Sequence, residues 1–339
     1  MFSIVTVESL GCDTMSVRTG AWRQLPILRW LGFGNWQPNQ QSEAYLFLLP
    51  SLIGFIVFVI SPIVISLGLS FFEWDLLTPP QFIGINNYVQ LLTQDEIFPL
   101  VLNNTLFYVI GIVPLQLVIG LIMAVALNSG LRGIGVYRLI YFMPVVSNIV
   151  AAAMVFQWLF NQDFGLFSSW IWQIAETTGW RIQPPNWLAD SFWSKPSVAV
   201  LTVWKNVGFT MVIYLAGLQG VPQILYEAAI VDGATPWQRF RYVTIPMVSS
   251  TTFFLVVIQT IGAFQLFAEP FVMTRVGSGG EPLLSTLSIV YYIYQNAFSF
   301  QKMGKATAIA WVLFGIIFIF TFVQLRLQRR WVHYETEAS

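Results

Sequence analysis

The chain has 339 residues, of which 56% are hydrophobic and 9% charged, and its formal net charge is zero. Soluble domains carry roughly 25% charged residues, so this surface calls for lipid, and zero net charge excludes a nucleic-acid footprint. Cys12 and His333 are its only cysteine and histidine, which excludes an intrachain disulfide and leaves no basis for a metal site.

In chain order, residues 1–43 read as an exposed tail and not as a signal peptide. Glu8 and Asp13 stand where a basic region should be, and no apolar core with a small-residue cleavage site follows. Met15 is an alternative start. Six apolar segments follow, near 45–71, 106–127, 139–160, 197–218, 248–268 and 306–325, each close to the roughly 20 residues that a span needs. Pro50 and Pro62 are expected to kink the first span and Pro114 the second. The fold class is therefore an all-α integral membrane protein with six transmembrane helices. Fourteen Trp and twelve Tyr suit the interfacial belts of such a protein.

Arginine and lysine set the orientation. Arg18, Arg23 and Arg29, then Arg132 and Arg138, then Arg239 and Arg241, then Arg326, Arg329 and Arg330 fall in the tail, loops 2–3 and 4–5, and the C-terminus. The other side holds only Arg181, Lys195, Arg275, Lys302 and Lys305. By the positive-inside rule the first set is cytoplasmic, so both termini are inside. The outer segments 73–100 and 161–196 are acidic and tryptophan-rich respectively. A re-entrant or interfacial helix is expected near 167–174.

Between the fourth and fifth spans lies "YEAAIVDGATPWQRFRYVTIPM" (226–247), too polar to span and too patterned to be a linker. Gly220 ends the fourth span, and Pro222 suits the first turn of a new helix. Gly233 stands where a left-handed C-cap belongs. Thr235–Pro236–Trp237–Gln238 reads as an N-cap, a first-turn proline and a capping-box glutamine. A second short helix is expected to run to about Val243, with Pro246 stopping it. Glu227, Asp232, Arg239 and Arg241 balance in charge, which suits a protein groove better than a lipid surface.

The same residues resemble the EAA loop of the membrane subunits of bacterial binding-protein-dependent ABC importers. Glu227, Ala228, Ala229, Gly233 and Pro246 match the family pattern, while Val243 and Ile245 replace its Ile and Leu, and Ser250 replaces a further common Pro. "FIGINNYVQLL" (82–92), "YFMPVVSNIVAAAMVFQWLFNQDFGLF" (141–167) and "VWKNVGFTMVIYLAGLQGVP" (203–222) resemble the carbohydrate-uptake branch, of the maltose-F or glycerol-phosphate-A type.

The resemblance implies a multi-pass subunit of the bacterial inner membrane. Its residues 44–327 form the transmembrane domain, with a coupling loop over 220–247, and 328–339 form a cytoplasmic tail. It implies ABC ATPase subunits that bind ATP and Mg, a second (G-type) permease, an extracytoplasmic solute-binding protein and a sugar or polyol cargo. It places Glu227, Ala228, Ala229, Asp232, Gly233, Arg239 and Pro246 at the ATPase contact. No cofactor and no catalytic residue are expected in the chain, which has no phosphate-binding Gly-rich loop and no Ser–His or Cys–His pair.

Polar residues inside spans are costly and so are candidates for the substrate path: Asn206 and Thr210, Gln259 and Gln265, and Tyr291, Tyr294 and Asn296. Interhelical hydrogen bonding or an aromatic belt would explain each of them equally well. Lys205 reads as snorkelling to the outer interface and Glu269 as solvated at the outer end. An ion-coupled transporter would want a carboxylate at mid-membrane, and a membrane enzyme would want an acid–base cluster; neither pattern is present. A glycerol-phosphate importer would want Arg or Lys in the cavity, where only Lys205 could serve.

Overall fold

The computed structural model describes residues 40–128, 133–179, 183–275 and 284–328. Cys12, His333, most of both tails, and the arginines at 18, 23, 29, 132, 181, 329 and 330 lie outside the described residues. So does most of the outer loop 276–283. The chain divides into two units, to Ile63 and from Val64.

In the first unit α1 (Gln40–Phe55) passes into a five-residue π-helix, Ile56–Ile60. This helical stretch leaves large apolar side chains such as Phe47 and Phe58 exposed, as a helix in lipid requires. The π turn ends two residues before Pro62, and a second one, Phe240–Thr244, ends two residues before Pro246. Proline lacks the N–H and its ring crowds the carbonyl one turn back. A wider turn relieves that crowding without ending the helix.

The second unit begins with α2 (Ser61–Leu69) from Val64 onward, then a small antiparallel hairpin pairing Phe72 with Phe82 and Glu73 with Gln81. After α3 (Asn86–Thr93) comes α4 (Ile97–Leu127), a 31-residue helix that starts nine residues before the expected second span. Its length is about 46 Å at 1.5 Å per residue, beyond the roughly 30 Å of a bilayer core. Asp95 sets the early start: its Oδ1 accepts from the backbone N–H groups of Ile97 and Phe98 at 2.9 and 3.0 Å.

The expected third span is broken. Helix α5 (Ile134–Val146) and α6 (Ile149–Leu159) meet at 96°. Ser147 and Asn148 are extended, and the Asn148 side chain caps α6 by accepting from Val150 and Ala151. Next comes α7 (Leu166–Thr178), with Trp170, Trp172 and Ile174 exposed, where the sequence points to a separate outer helix. The fourth segment is α8 (Ser194–Gln219).

The polar stretch forms α9 (Gln223–Val231), α10 (Pro236–Arg239), the second π turn and α11 (Ile245–Met247). Pro246 does not stop this helix. The chain stays helical through it and bends by 64° into α12 (Ser249–Phe264), with Val248 at the joint. Then follow α13 (Ala268–Arg275), α14 (Ile289–Tyr294), a third π turn (Gln295–Ser299) and α15 (Met303–Gln328).

Four helical segments are long and apolar enough to cross a membrane, and up to six if each bent pair is one span. The core centres on α4 and α8. Tyr108 and Ile112 of α4 pack with Val198 and Leu201 of α8 in one buried cluster. Ala124 and Leu127 pack with Met211 and Tyr214 in another. A third cluster joins Val109 and Val113 to Phe264, Tyr291 and Ile309.

Candidate functional site

Two places in the second unit carry function-bearing chemistry: the capped hairpin over 223–247 and a cavity between the helices.

The hairpin is held by its own backbone chemistry. Helix α9 ends at Gly233 with φ +77°, and Ala234 N–H reaches back to Ala229 O at 2.9 Å. That pairing closes a left-handed C-cap which suits glycine. The capping box forms at the start of α10: Gln238 N–H donates to Thr235 Oγ1 at 3.3 Å, and Thr235 N–H donates to Gln238 Oε1 at 2.7 Å. A third fastening is not evident from the sequence pattern. Tyr226 of α9 and Thr244 of the π turn share a hydroxyl–hydroxyl hydrogen bond of 3.0 Å.

Glu227, Ala228, Asp232 and Gly233 are exposed, and Ala229, Arg239 and Pro246 are half-buried. Val231 is 87% and Trp237 67% exposed, so large apolar groups sit bare between the charges. Among the described residues, Glu227, Asp232, Arg239 and Arg241 form no ion pair with one another. Arg239 Nε is enclosed without a hydrogen-bond partner. A rigid, mixed-charge surface with bare apolar side chains is built to meet another protein.

The cavity has a volume of about 530 Å³. Helices α4, α8 and α12, with the start of α13, bring Gln116, Asn206, Gln259 and Glu269 to its wall. Thr202, Lys205 and Gln265 complete the polar lining, and Ile112, Phe209, Leu266 and Phe267 supply the apolar part. Of the sequence candidates, Asn206, Gln259 and Gln265 therefore come together.

Thr210 does not line it. It is 0% exposed and wedged between α4 and α12, where it accepts from Gln259 Nε2 at 2.8 Å. A Cβ at Gly120 would come within 2.6 Å of the Thr210 methyl, so glycine is what lets α4 approach. Tyr291, Tyr294 and Asn296 stand behind the wall. The two tyrosines pack on Phe267 with ring centroids 6.0 and 5.3 Å away, and Asn296 donates to Tyr292 O at 2.9 Å. For these four the interhelical reading holds.

Two ionisable residues differ from expectation. Lys205 does not snorkel outward: its Nζ donates to the carbonyls of Ser147, Val145 and Pro144 at 2.8, 3.2 and 3.4 Å, which tie it to the break between α5 and α6. Glu269 is 9% exposed and lines the cavity. Burial pushes its carboxyl upward, its own backbone N–H and the Lys205 charge oppose this, and it ends above the ordinary glutamate value.

Gln116 escaped the sequence reading altogether. It is 1% exposed in the middle of an apolar helix, and the rule that a polar residue inside a span needs a reason would have found it.

The model for the "Binding-protein-dependent transport system inner membrane component" family matches residues 116–333. The chain belongs to this family. Its members are membrane permease subunits and not catalysts.

One relative is the probable ABC transporter permease protein YesP of Bacillus subtilis, 36% identical over 87% of this chain and 93% of that one. Another is the lactose transport system permease protein LacF of Rhizobium radiobacter, 34% identical over 85% of this chain and 94% of its own. Among solved structures, a bacterial ABC transporter involved in the import of the acidic polysaccharide alginate aligns at TM-score 0.72 and 22% identity. That match covers 89% of this permease and 98% of the solved chain. It places the permease in that fold.

Proposed function

We propose that this chain is the permease subunit of an ABC importer that carries a sugar or a related polyol or glycoside across the bacterial inner membrane. Residues 44–327 form a six-span domain when each bent helix pair counts as one crossing. Residues 1–43 and 328–339 are cytoplasmic tails, and 220–247 is a cytoplasmic coupling loop. A separate ABC ATPase binds ATP and Mg, a second permease completes a heterodimer, and an extracytoplasmic binding protein delivers the cargo.

The observation that carries this reading is the hairpin. It is fastened at Gly233, at Thr235–Gln238 and at Tyr226–Thr244, and it leaves Glu227, Asp232, Val231 and Trp237 exposed. Such a knob transmits displacement as one body. ATP closure at one end and cargo at the other then bias a bundle with two arrangements. The names of relatives carrying lactose, trehalose or maltose, and arabinooligosaccharides support the cargo class. A glycerol-phosphate cargo has less support, because the three carbonyls on Lys205 already engage the cation that it would use.

The test is co-purification with the ATPase, joined to sugar uptake in cells. Glu227→Lys is expected to abolish uptake and release the ATPase while the permease still reaches the membrane. Normal ATPase binding and uptake by this variant would sink the coupling assignment.

A further inference from the structure

The polar groups around the cavity share an orientation that their residue types do not imply. Gln116 Nε2 and Asn206 Nδ2 both donate to the Thr202 carbonyl, at 3.2 and 3.0 Å. A carbonyl only accepts, so each amide must turn its nitrogen toward it. Gln259 Nε2 donates to Thr210 Oγ1 at 2.8 Å, and the Thr210 hydroxyl is itself directed at Asn206 O, 3.5 Å away. All three amides are thus anchored by their nitrogen ends.

Their carbonyl ends are left over. Gln116 Oε1 is buried with no hydrogen-bond partner. Glu269 adds a carboxyl whose hydrogen bond comes from its own backbone N–H. The only cation on the wall, Lys205, is bound to three carbonyls of the α5–α6 break. The cavity therefore offers acceptors and holds its positive charge in reserve for the protein.

We propose that this cavity takes an uncharged, hydroxyl-rich glycoside and rejects carboxylated, sulfonated and phosphorylated ones, with Glu269 and Gln116 as the residues that set the preference. The inference rests on the reading of the chain as a glycoside permease and deepens it. Sugar hydroxyls supply the donors that Gln116 Oε1 and Glu269 lack, and a buried acceptor gains most from such a partner. An anion brings only further acceptors and meets Glu269 in a site of low dielectric. Neither protonation state of Glu269 attracts an anion as a cation would: ionised it repels, and neutral it offers a single O–H.

The test uses the assembled transporter in nanodiscs without its binding protein, so that only the permease selects. Binding of neutral trisaccharides (maltotriose, raffinose and arabinotriose) is compared with that of trigalacturonate by equilibrium dialysis. The wild type is expected to bind at least one neutral sugar and to bind trigalacturonate about tenfold more weakly or not at all. Glu269→Gln is expected to narrow that preference about tenfold while keeping neutral binding within a few-fold. Gln116→Met should weaken neutral binding about tenfold, with thermal melting checking that it folds.

Trigalacturonate bound as tightly as the neutral sugars, or a preference unchanged by Glu269→Gln, overturns the inference and leaves the permease reading intact. Failure of every saccharide to bind overturns the glycoside reading and the inference with it.

Discussion

Lys205 Nζ lies 2.8 Å from the carbonyl oxygen of Ser147, across the break between α5 and α6. Helix ends leave carbonyls without partners, and inside a membrane those carbonyls have no water to turn to. A lysine from α8 supplies the donors, so a helix 58 residues away in sequence holds the break open. Lys205→Met should therefore act on the fold before it acts on cargo. A hydrogen bond to a charged group contributes about 1.5–3 kcal/mol, so the purified permease should melt several degrees lower. Lys205→Arg, which retains donors, should recover part of the loss. Unchanged melting in Lys205→Met would show that the break is held by something else.

Asp95 is the counterpart on the side of α4. Its Oδ1 caps that helix, and its Oδ2 takes Lys305 Nζ at 2.7 Å and Tyr292 O–H at 2.6 Å, with its side chain 6% exposed. Burial pushes this carboxyl upward, but the Lys305 and Tyr292 contacts outweigh it, so it ends below the ordinary aspartate value. A carboxyl depressed in the folded state adds stability above its unfolded pKa, near 4, and loses it as pH falls through the lower folded value. The melting difference between wild type and Asp95→Asn should be largest at neutral pH and shrink in acid below about pH 4. A difference that is equal at neutral and acid pH would refute the linkage.

The hairpin was legible in the sequence, and the cavity only in part, for a physical reason. Gly233, Thr235, Pro236 and Gln238 act on their own backbone neighbours, so their spacing alone specifies the turn and the capping box. Asn206, Gln259 and Gln265 were found because polar groups in apolar helices are conspicuous. What separates them from Thr210, Tyr291 and Asn296 is how each helix is rotated against its neighbours. That rotation is set by contacts such as Gly120 against Thr210, which no local pattern encodes. The break at Ser147–Asn148 was hidden because apolar residues flank it on both sides. Pro246 misled because the π turn before it opens the helix enough to accommodate the ring.

Gly233 offers a direct check on the hairpin turn. Its φ of +77° costs an ordinary L-residue about 1–2 kcal/mol, and a β-branched residue fits worst. Gly233→Val should lower uptake severely and weaken ATPase co-purification. Gly233→Asn, which tolerates the left-handed region, should retain most of both. Equal behaviour of the two variants would mean that the backbone conformation is not what the position supplies.

The Tyr226–Thr244 bond tests whether the hairpin must move with α12. The two hydroxyls tie α9 to the π turn that leads into the 64° joint at Val248. A neutral hydrogen bond contributes only about 0.5–1.5 kcal/mol, too little to decide folding. It is enough to alter how faithfully a displacement of α9 reaches α12. Tyr226→Phe and Thr244→Val should therefore leave expression and ATPase binding near wild type, yet raise the ATP hydrolysed per sugar imported. The double variant should be no worse than either single one, because both remove the same bond. The measurement is ATPase rate against uptake in proteoliposomes. Additive losses would mean that the two side chains act separately, and an unchanged ratio would mean that the knob is rigid without them.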